Sequence, residues 1–229
     1  MIEFKDVVLQ YHYDEFAILK GATFALSDGI NTVLADTQSG KSSICKLLLK
    51  DVAPNSGKIL IDGADICGIT NADLGILYLP STPTFFERRS VRYNLEYPIA
   101  VRKIAKKERR QRAEEVANSL GIDFLDVKVG KLTAEQRKLV ALARGLTVRR
   151  KIVLFDDFFD GEDTTIERVK SVLAAFESAT CVILTSDKWL ALGNVVLLDG
   201  GVTAYQGDAD GAVKTMDGLD WIYDKIRSE

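Results

Sequence analysis

A short loop between two apolar segments carries the residue types that bind phosphate. Residues 30–34 form a strand-like apolar run, and residues 43–50 have the apolar spacing of a helix. The loop between them, residues 35–43, reads ADTQSGKSS. A strand, a loop with Gly-Lys-Ser and a helix form the context of a P-loop, in which backbone N–H groups and the helix N-terminus face an anion. We therefore expect this loop to bind the phosphates of a nucleotide.

The end of this loop supplies the candidate phosphate-binding residues. They are Gln38, Ser39, Gly40, Lys41, Ser42 and Ser43. In a P-loop, Lys41 would reach the β- and γ-phosphates and the Ser42 hydroxyl would ligate Mg²⁺. The usual pattern begins with Gly five positions before the second Gly, where this chain has Ala35. If position 35 needs a positive φ, alanine costs about 1–2 kcal/mol there.

Two carboxylates follow a second buried strand. Residues 151–157 form an apolar run that ends in Asp156 and Asp157. Carboxylates at the end of a buried strand are candidates for metal binding or for acid–base chemistry.

Strands and helices that must position these residues alternate along the chain. The predicted strands lie at 3–11, 22–26, 30–34, 75–79, 151–157, 181–185, 195–198 and 202–205, with a strand-turn-strand at 58–66. The predicted helices lie at 43–50, 132–147, 164–177 and 212–226, and the chain from residue 90 to about residue 121 is predicted to be helical and strongly charged. This alternation predicts an α/β fold with a mostly parallel sheet covered on both faces.

Composition limits the classes of partner and compartment. The net charge of −3 gives no general reason to expect nucleic acid. Cys45, Cys67 and Cys181 are far apart in apolar contexts, which predicts reduced, buried thiols in the cytosol. The chain has no signal-peptide pattern and no apolar run near the roughly 20 residues of a membrane span. A cytoplasmic protein that reaches a membrane only through a partner is expected.

A basic run at residues 102–112 has two interpretations. It is either a surface for an anionic partner or lipid headgroups, or the solvated face of a helix. Glu108, Glu114 and Glu115 interrupt the positive charges, and Ala113 and Val116 are spaced for a buried side. We favour the solvated face.

The order and spacing of these motifs resemble the nucleotide-binding domain of ABC transporters over nearly the whole chain. Tyr11 matches the aromatic residue that stacks on adenine, and residues 56–63 resemble the family's antiparallel hairpin. Residues 132–136, with the sequence LTAEQ, fall at the signature motif, and residues 152–156 match the Walker B strand. The resemblance implies that Asp156 joins Ser42 as a Mg²⁺ ligand and that Asp157 occupies the position of the general base.

This resemblance implies a single domain, residues 1–229, with the P-loop NTPase fold. It implies a mostly parallel core sheet, an N-terminal antiparallel β-subdomain and an inserted helical subdomain at about residues 82–147. The implied ligands are ATP and Mg²⁺. The implied partners are another ABC nucleotide-binding subunit, as a homo- or heterodimer, and a membrane permease, with no nucleic acid. The implied location is cytoplasmic, peripheral at the inner face of the plasma membrane.

Departures from the family pattern fall on the positions that act on the γ-phosphate. Ala134 and Glu135 replace the two glycines of the signature motif. Pro80 replaces the Q-loop glutamine, and Ser186 replaces the switch histidine. Asp157 replaces the glutamate that polarises water and is one methylene shorter; a base misplaced by about 1 Å can cost on the order of 100-fold in rate. Asp157 is therefore expected to be a weakened base, with hydrolysis weak or absent.

Two functions follow from this pattern. The first is an ATP-binding subunit that couples ATP–Mg²⁺ binding to a permease; the alternative is a non-hydrolysing pseudo-ATPase that acts in regulation or assembly. Residues 84–97 correspond to the family's contact with the membrane partner, although the aromatic residues there could equally pack in a core. Those aromatics are Phe85, Phe86, Tyr93 and Tyr97.

Overall fold

The computed structural model describes residues 1–12, 15–36, 40–159 and 164–228, with side chains as far as Leu219. The chain divides into two compact units. The first, which we call the sheet unit, contains Met1–Tyr78 and Lys151–Glu229. The second, the helical unit, contains Leu79–Arg150.

The strands and helices follow one another as an α/β sequence. The strands are β1 (Ile2–Leu9), β2 (Leu19–Leu26), β3 (Ile30–Ala35), β4 (Ser56–Ile61), β5 (Ala64–Asp65), β6 (Ile76–Pro80), β7 (Ile152–Asp156), β8 (Thr180–Thr185), β9 (Asn194–Asp199) and β10 (Val202–Gly207). The α-helices are α1 (Lys41–Leu48), α2 (Asn71–Leu74), α3 (Val91–Ala100), α4 (Lys106–Ser119), α5 (Ala134–Leu146), α6 (Ile166–Ala174) and α7 (Ala209–Ser228).

The strands form two sheets. The larger sheet has the order β10-β9-β3-β8-β7-β6, and the pairs β9–β3, β3–β8 and β8–β7 are parallel. Strands β7 and β8 are buried at every position, which explains why their sequences are continuously apolar rather than alternating. The smaller sheet, β2-β1-β4-β5, is antiparallel. The predicted α/β class, with a parallel core sheet and an N-terminal antiparallel sheet, is confirmed.

One hydrophobic core joins both sheets of the sheet unit to helix α1. It includes Phe4 and Phe24, whose rings stack with centroids 4.4 Å apart, and Ile44 and Leu48 of the helix. Helix α1 buries this face because its apolar residues recur at positions three and four apart. The core therefore fixes where the N-terminus of α1 lies relative to the parallel strands.

The helical unit has its own core, formed where helices α3, α4 and α5 pack together. Leu95, Ala113, Ala117 and Val140 are fully buried in it. The stretch of residues 90–121, predicted to be helical, forms two helices, because the chain ends α3 at Ala100 and starts α4 at Lys106. A continuous helix could not fold back on itself to bury these residues against one another.

The basic run of α4 forms a charged, largely exposed helix face, as the favoured interpretation predicted. Arg110 pairs with Glu114 and Arg112 pairs with Glu108, each four residues apart. Exposed pairs of this kind contribute about 0.3–0.5 kcal/mol each. They mainly make the face compatible with solvent.

The prediction that all three cysteines are buried is wrong for one of them. Cys45 and Cys181 are buried, but Cys67 is exposed. Cys67 lies in the one-turn 3₁₀-helix Ile66–Gly68, where Asp65 accepts a hydrogen bond from the Cys67 N–H and Ile66 takes the buried position.

Two glycines with similar backbone conformations test the packing of the antiparallel sheet. Gly57 (φ +83°) and Gly63 (φ +80°) both adopt left-handed conformations. A Cβ on Gly57 would lie 2.3 Å from the Asp6 carbonyl oxygen, whereas a Cβ on Gly63 would meet nothing within 4 Å. We expect Gly63→Ala to lower the free energy of unfolding by about 1–2 kcal/mol. Gly57→Ala should lower it by a further ~1–3 kcal/mol, because the backbone must shift.

Urea unfolding of the two variants beside the wild type measures this difference. The account of the sheet is wrong if Gly57→Ala and Gly63→Ala are equally stable, since the two differ only in what the new methyl group meets.

Candidate functional site

The candidate residues meet because three parallel strands end at the same edge of the sheet. Strand β8 lies between β3 and β7, with Leu34 paired to Thr185 and Asp156 paired to Leu184. The chain leaves β3 towards helix α1, whose first residue is Lys41. The carboxyl edge of such a sheet is where α/β proteins bind ligands.

Gly40 allows the chain to enter helix α1. It has φ +95°, and a Cβ there would lie 2.9 Å from the Leu19 Cδ2 atom and 3.2 Å from the Ile18 Cγ2 atom. Glycine is therefore required both for its conformation and for space. The predicted residues Gln38 and Ser39 lie outside the described residues.

Lys41 is the first residue of α1 and only 8% exposed. Its Nζ donates a hydrogen bond of 3.0 Å to the Ala35 carbonyl oxygen and lies 3.7 Å from the Asp157 Oδ1 atom. A buried ammonium needs such partners because desolvation is costly. The contacts hold the charge of Lys41 between the end of β3 and the end of β7.

Asp156 is a buried carboxylate with one oxygen engaged and one unengaged. It is 7% exposed, and its Oδ2 accepts a 2.8 Å hydrogen bond from the Tyr78 hydroxyl. Its Oδ1 is buried and has no hydrogen-bond partner among the described residues. Burial raises the pKa of Asp156; the Tyr78 hydrogen bond opposes that effect and the charge of Asp157 adds to it.

The unengaged oxygen of Asp156 fits a Mg²⁺ site. Mg²⁺ prefers oxygen ligands and is commonly held by one or two protein groups, water and substrate phosphates. Ser42, the other predicted ligand, is exposed on the first turn of α1. In the described ranges, no group of three or more His, Cys, Asp or Glu side chains is arranged so that it could hold a metal ion.

Tyr11 and Ser43 contact each other beside the phosphate loop. Their hydroxyl oxygens lie 3.2 Å apart, and Ser43 is buried in the first turn of α1. The Lys46 Nζ lies 5.2 Å from the centre of the Tyr11 ring. The ring also lines a cleft of about 320 Å³ with Gln10, His12 and Asn55. Tyr11 thus connects an open cleft to the helix that starts at Lys41.

Asp157 has an unusual backbone conformation for a non-glycine residue. Its φ is +46°, and its N–H donates to the Leu184 carbonyl oxygen at 3.0 Å. Left-handed conformations cost energy for residues with a Cβ, and they concentrate at functional sites. The conformation directs the Asp157 carboxylate towards Lys41.

An aromatic cluster supports the turn after Asp157, and sequence reasoning missed it. Phe158 and Phe159 are buried against Phe155, with ring centroids 5.8 and 4.9 Å away. The pair of consecutive phenylalanines directly after two carboxylates was the available signal, because apolar rings rarely follow a polar strand end unless they are buried.

The remaining predicted positions lie at ends of elements. Thr133 caps helix α5: its hydroxyl accepts from the Gln136 N–H, and the Gln136 side chain accepts from the Thr133 N–H. Glu135 is exposed in the first turn of this helix. Pro80 is the last residue of β6, and Ser186 directly follows β8.

A larger cavity of about 540 Å³ lies elsewhere on the sheet unit. Its lining includes Gly29, Ile152 and Thr180, at the amino ends of β3, β7 and β8. That edge is opposite to the one that bears Asp156. Since none of the predicted phosphate- or metal-binding residues lines this cavity, we place the candidate site at the carboxyl edge.

The fold is that of P-loop NTPases, and comparison with known proteins gives the family. The family model described as ABC transporter matches residues 19–160. The chain belongs to the ABC transporter family. A solved structure of a bacterial Atm1-family ABC exporter with ATP bound has the same fold, with a TM-score of 0.77 at 24% identity over 93% of this chain and 40% of that one.

Curated relatives include subunits of both import and export systems. The molybdate/tungstate import ATP-binding protein of Pyrococcus horikoshii is 32% identical over 66% of this chain and 44% of its own length. The sn-glycerol-3-phosphate import ATP-binding protein of Rhizobium meliloti is 29% identical over 87% of this chain and 60% of its own. The lipopolysaccharide export system ATP-binding protein of Haemophilus influenzae is 29% identical over 70% of this chain and 69% of its own.

The chain thus spans about half the length of the first of these relatives. Within the described residues, no helix combines the length and apolarity that crossing a membrane requires.

The burial of Asp156 predicts that its negative charge lowers the stability of the protein without bound nucleotide. Because its folded-state pKa is raised, its ionised form destabilises the fold at pH values above the unfolded-state pKa of about 3.9. Asp156→Asn removes this charge and retains an acceptor for Tyr78. We expect the free energy of unfolding at pH 7, without nucleotide, to rise by about 0.5–2 kcal/mol.

The sign of the effect fixes its pH dependence. The gain should be complete above the folded-state pKa of Asp156 and should vanish as the pH falls below the unfolded-state value, where both states are protonated. Urea unfolding at a series of pH values measures it, with the exposed Asp51→Asn as control. A pH-independent change in Asp156→Asn would contradict the electrostatic explanation.

Proposed function

We propose that this chain is an ATP-binding subunit of an ABC transporter that binds ATP–Mg²⁺, hydrolyses it weakly or not at all, and couples binding to a membrane permease. The observation that carries the proposal is the meeting of Lys41 with Asp156 and Asp157 at one edge of the sheet, beside an unpartnered carboxylate oxygen. An ammonium next to a metal-binding carboxylate suits a nucleotide triphosphate with its cation.

Each predicted residue has a role in this proposal. Lys41 binds the β- and γ-phosphates. The other loop residues contribute to phosphate binding through their backbone N–H groups; they are Gln38, Ser39, Gly40 and Ser43. Ser42 and Asp156 hold Mg²⁺, and Tyr11 packs on adenine at the cleft it lines. Bound Mg²⁺ would offset the negative charge of the phosphates.

The position of Asp157 supports weak hydrolysis. A general base must reach the attacking water within hydrogen-bond distance. The Asp157 carboxylate instead lies by the Lys41 ammonium, with Oδ1 buried at 3.7 Å. Pro80, Glu135 and Ser186 also replace residues that act on the γ-phosphate in the family. These features support a site that binds phosphate better than it activates water.

The same ion pair favours a second function, a non-hydrolysing pseudo-ATPase that serves regulation or assembly. In that case ATP binding would change the conformation or partners of the chain without a hydrolytic cycle. The Lys41–Asp157 pair suits such a role, because ATP would have to exchange one partner of a buried lysine for another. The turnover number separates the two functions.

The proposed assembly contains two kinds of partner. We infer another ABC nucleotide-binding subunit, as a homo- or heterodimer, and a membrane permease, with the chain peripheral at the cytoplasmic face of the membrane. The two compact units would form one nucleotide-binding domain over residues 1–229, its helical subdomain at about residues 82–147. The names of the import and export relatives support this role.

A surface of the helical unit supports a permease partner. We call Phe86, Tyr93 and Tyr97, whose rings contact one another and remain about two-fifths exposed, the aromatic patch. The Arg89 guanidinium lies 5.1 Å from the centre of the Tyr93 ring. Exposed aromatic clusters next to arginine are common in protein interfaces. Phe85 differs, because it packs against the helical core.

ATP binding is tested with the purified chain. Isothermal titration calorimetry with ATP–Mg²⁺ should give a dissociation constant between micromolar and millimolar. Lys41→Ala should weaken binding at least tenfold, since the phosphates lose their buried cation, whereas Lys20→Ala on the exposed side of β2 should leave it unchanged. Turnover should stay well below the common enzymatic range of about 1–10³ s⁻¹. Normal turnover that Lys41→Ala abolishes would contradict weak hydrolysis.

The aromatic patch gives a separate prediction about the permease. Tyr97→Asp should reduce recovery of the chain with a co-expressed permease, because a charge would be buried in an apolar contact. Trp189→Asp, at a similarly exposed aromatic of the sheet unit (44% against 42%), is the control. ATP affinity should be unchanged in both. Equal recovery of Tyr97→Asp and wild type after detergent extraction would exclude the patch as the contact.

A further inference from the structure

Tyr78 contacts the candidate metal ligand, although no motif in the sequence singles it out. It lies in β6, the edge strand of the larger sheet beside β7, which ends at Asp156, and its hydroxyl donates to the Asp156 Oδ2 atom at 2.8 Å. An ionised carboxylate can only accept hydrogen bonds, so the Tyr78 hydroxyl is the donor in this contact.

This hydrogen bond distinguishes the two oxygens of Asp156. An aspartate χ2 torsion is broad, so a carboxylate without restraint presents either oxygen over a range of angles. Tyr78 fixes Oδ2, which leaves the buried Oδ1 as the oxygen without a partner. The orientation of the plane of the carboxylate is set at the same time.

A purely structural role for Tyr78 is the competing explanation. Its ring packs against the main core, and phenylalanine would satisfy that packing equally well. The hydroxyl is what phenylalanine lacks, and its partner in the described part of the chain is the Asp156 carboxylate. The hydroxyl therefore acts on the carboxylate, whereas the ring packs on the core.

We propose that Tyr78 is a positioning residue for Mg²⁺: by holding Oδ2 it presents Oδ1 of Asp156 to the coordination shell of the ion. The inference rests on the proposed function, because it requires that Asp156 serve a nucleotide-bound cation. Outer-shell hydrogen bonds of this kind typically change metal affinity by about 10–100-fold when they are removed. Tyr78 contacts a metal ligand and takes no part in bond making or breaking.

The test measures how much Mg²⁺ improves ATP binding. For each protein, calorimetry gives the dissociation constant of ATP with excess EDTA and with Mg²⁺. The first constant divided by the second measures how much Mg²⁺ strengthens ATP binding. We expect Tyr78→Phe to reduce this ratio about tenfold, while the dissociation constant measured with EDTA changes little. Tyr205→Phe, the same chemical change on β10 in the same unit, should leave the ratio unchanged.

A double-mutant cycle separates positioning from general destabilisation. In the Asp156→Asn background Tyr78→Phe should have no further effect on the ratio, since there is no carboxylate to position. An equal effect of Tyr78→Phe in both backgrounds would overturn the proposal, and so would an unchanged ratio in Tyr78→Phe alone. Absence of ATP binding by the wild type, in either condition, would instead overturn the proposed function and this inference with it.

A second measurement avoids substitution of the hydroxyl. With 3-fluorotyrosine incorporated at position 78, the ¹⁹F resonance should shift when Mg²⁺ is added to the ATP-loaded protein, because the hydroxyl is bonded to the carboxylate that meets the ion. A resonance that Mg²⁺ leaves unmoved in the ATP-loaded protein would overturn the proposal even if Tyr78→Phe failed to fold.

Discussion

The parallel pairing of β3, β8 and β7 is the constraint on which the site depends. Because these strands share direction and register, the loop that leads to Lys41 and the carboxylate of Asp156 reach the same edge of the sheet. Strands β3 and β7, on either side of β8, are largely buried. Helix α1 packs its apolar face into the core beneath that edge. The charged residues thus occupy fixed positions because an apolar framework surrounds them.

Burial of charge at this edge explains both the binding and the weak chemistry that we propose. Lys41 is held by the Ala35 carbonyl oxygen and faces Asp157, while Asp156 is held by Tyr78. Such groups cost stability in the empty protein and gain partners when an anion and a cation arrive together. The arrangement suits a binding site, whereas a carboxylate paired with the phosphate-binding lysine is poorly placed to activate water.

The sequence was sufficient to predict the features that follow from a regular apolar pattern or from a short motif. Apolar runs and their alternation with helices were enough for the α/β class, and the Gly-Lys-Ser spacing located the start of α1. Features that depend on residues far apart escaped it: the Tyr78–Asp156 bond joins positions 78 residues apart. Local pattern also failed at Cys67, which was predicted to be buried and is exposed.

The fate of the nucleotide that the protein binds tests the central claim most directly. The purified chain is incubated with Mg²⁺ and with ATP at several times the dissociation constant that calorimetry gives, and the ATP, ADP and phosphate of the whole sample are measured over several hours. The account predicts that ATP is bound and that phosphate release stays far below about one equivalent per second. Release at about one equivalent per second or faster, or no binding at millimolar ATP, would contradict it.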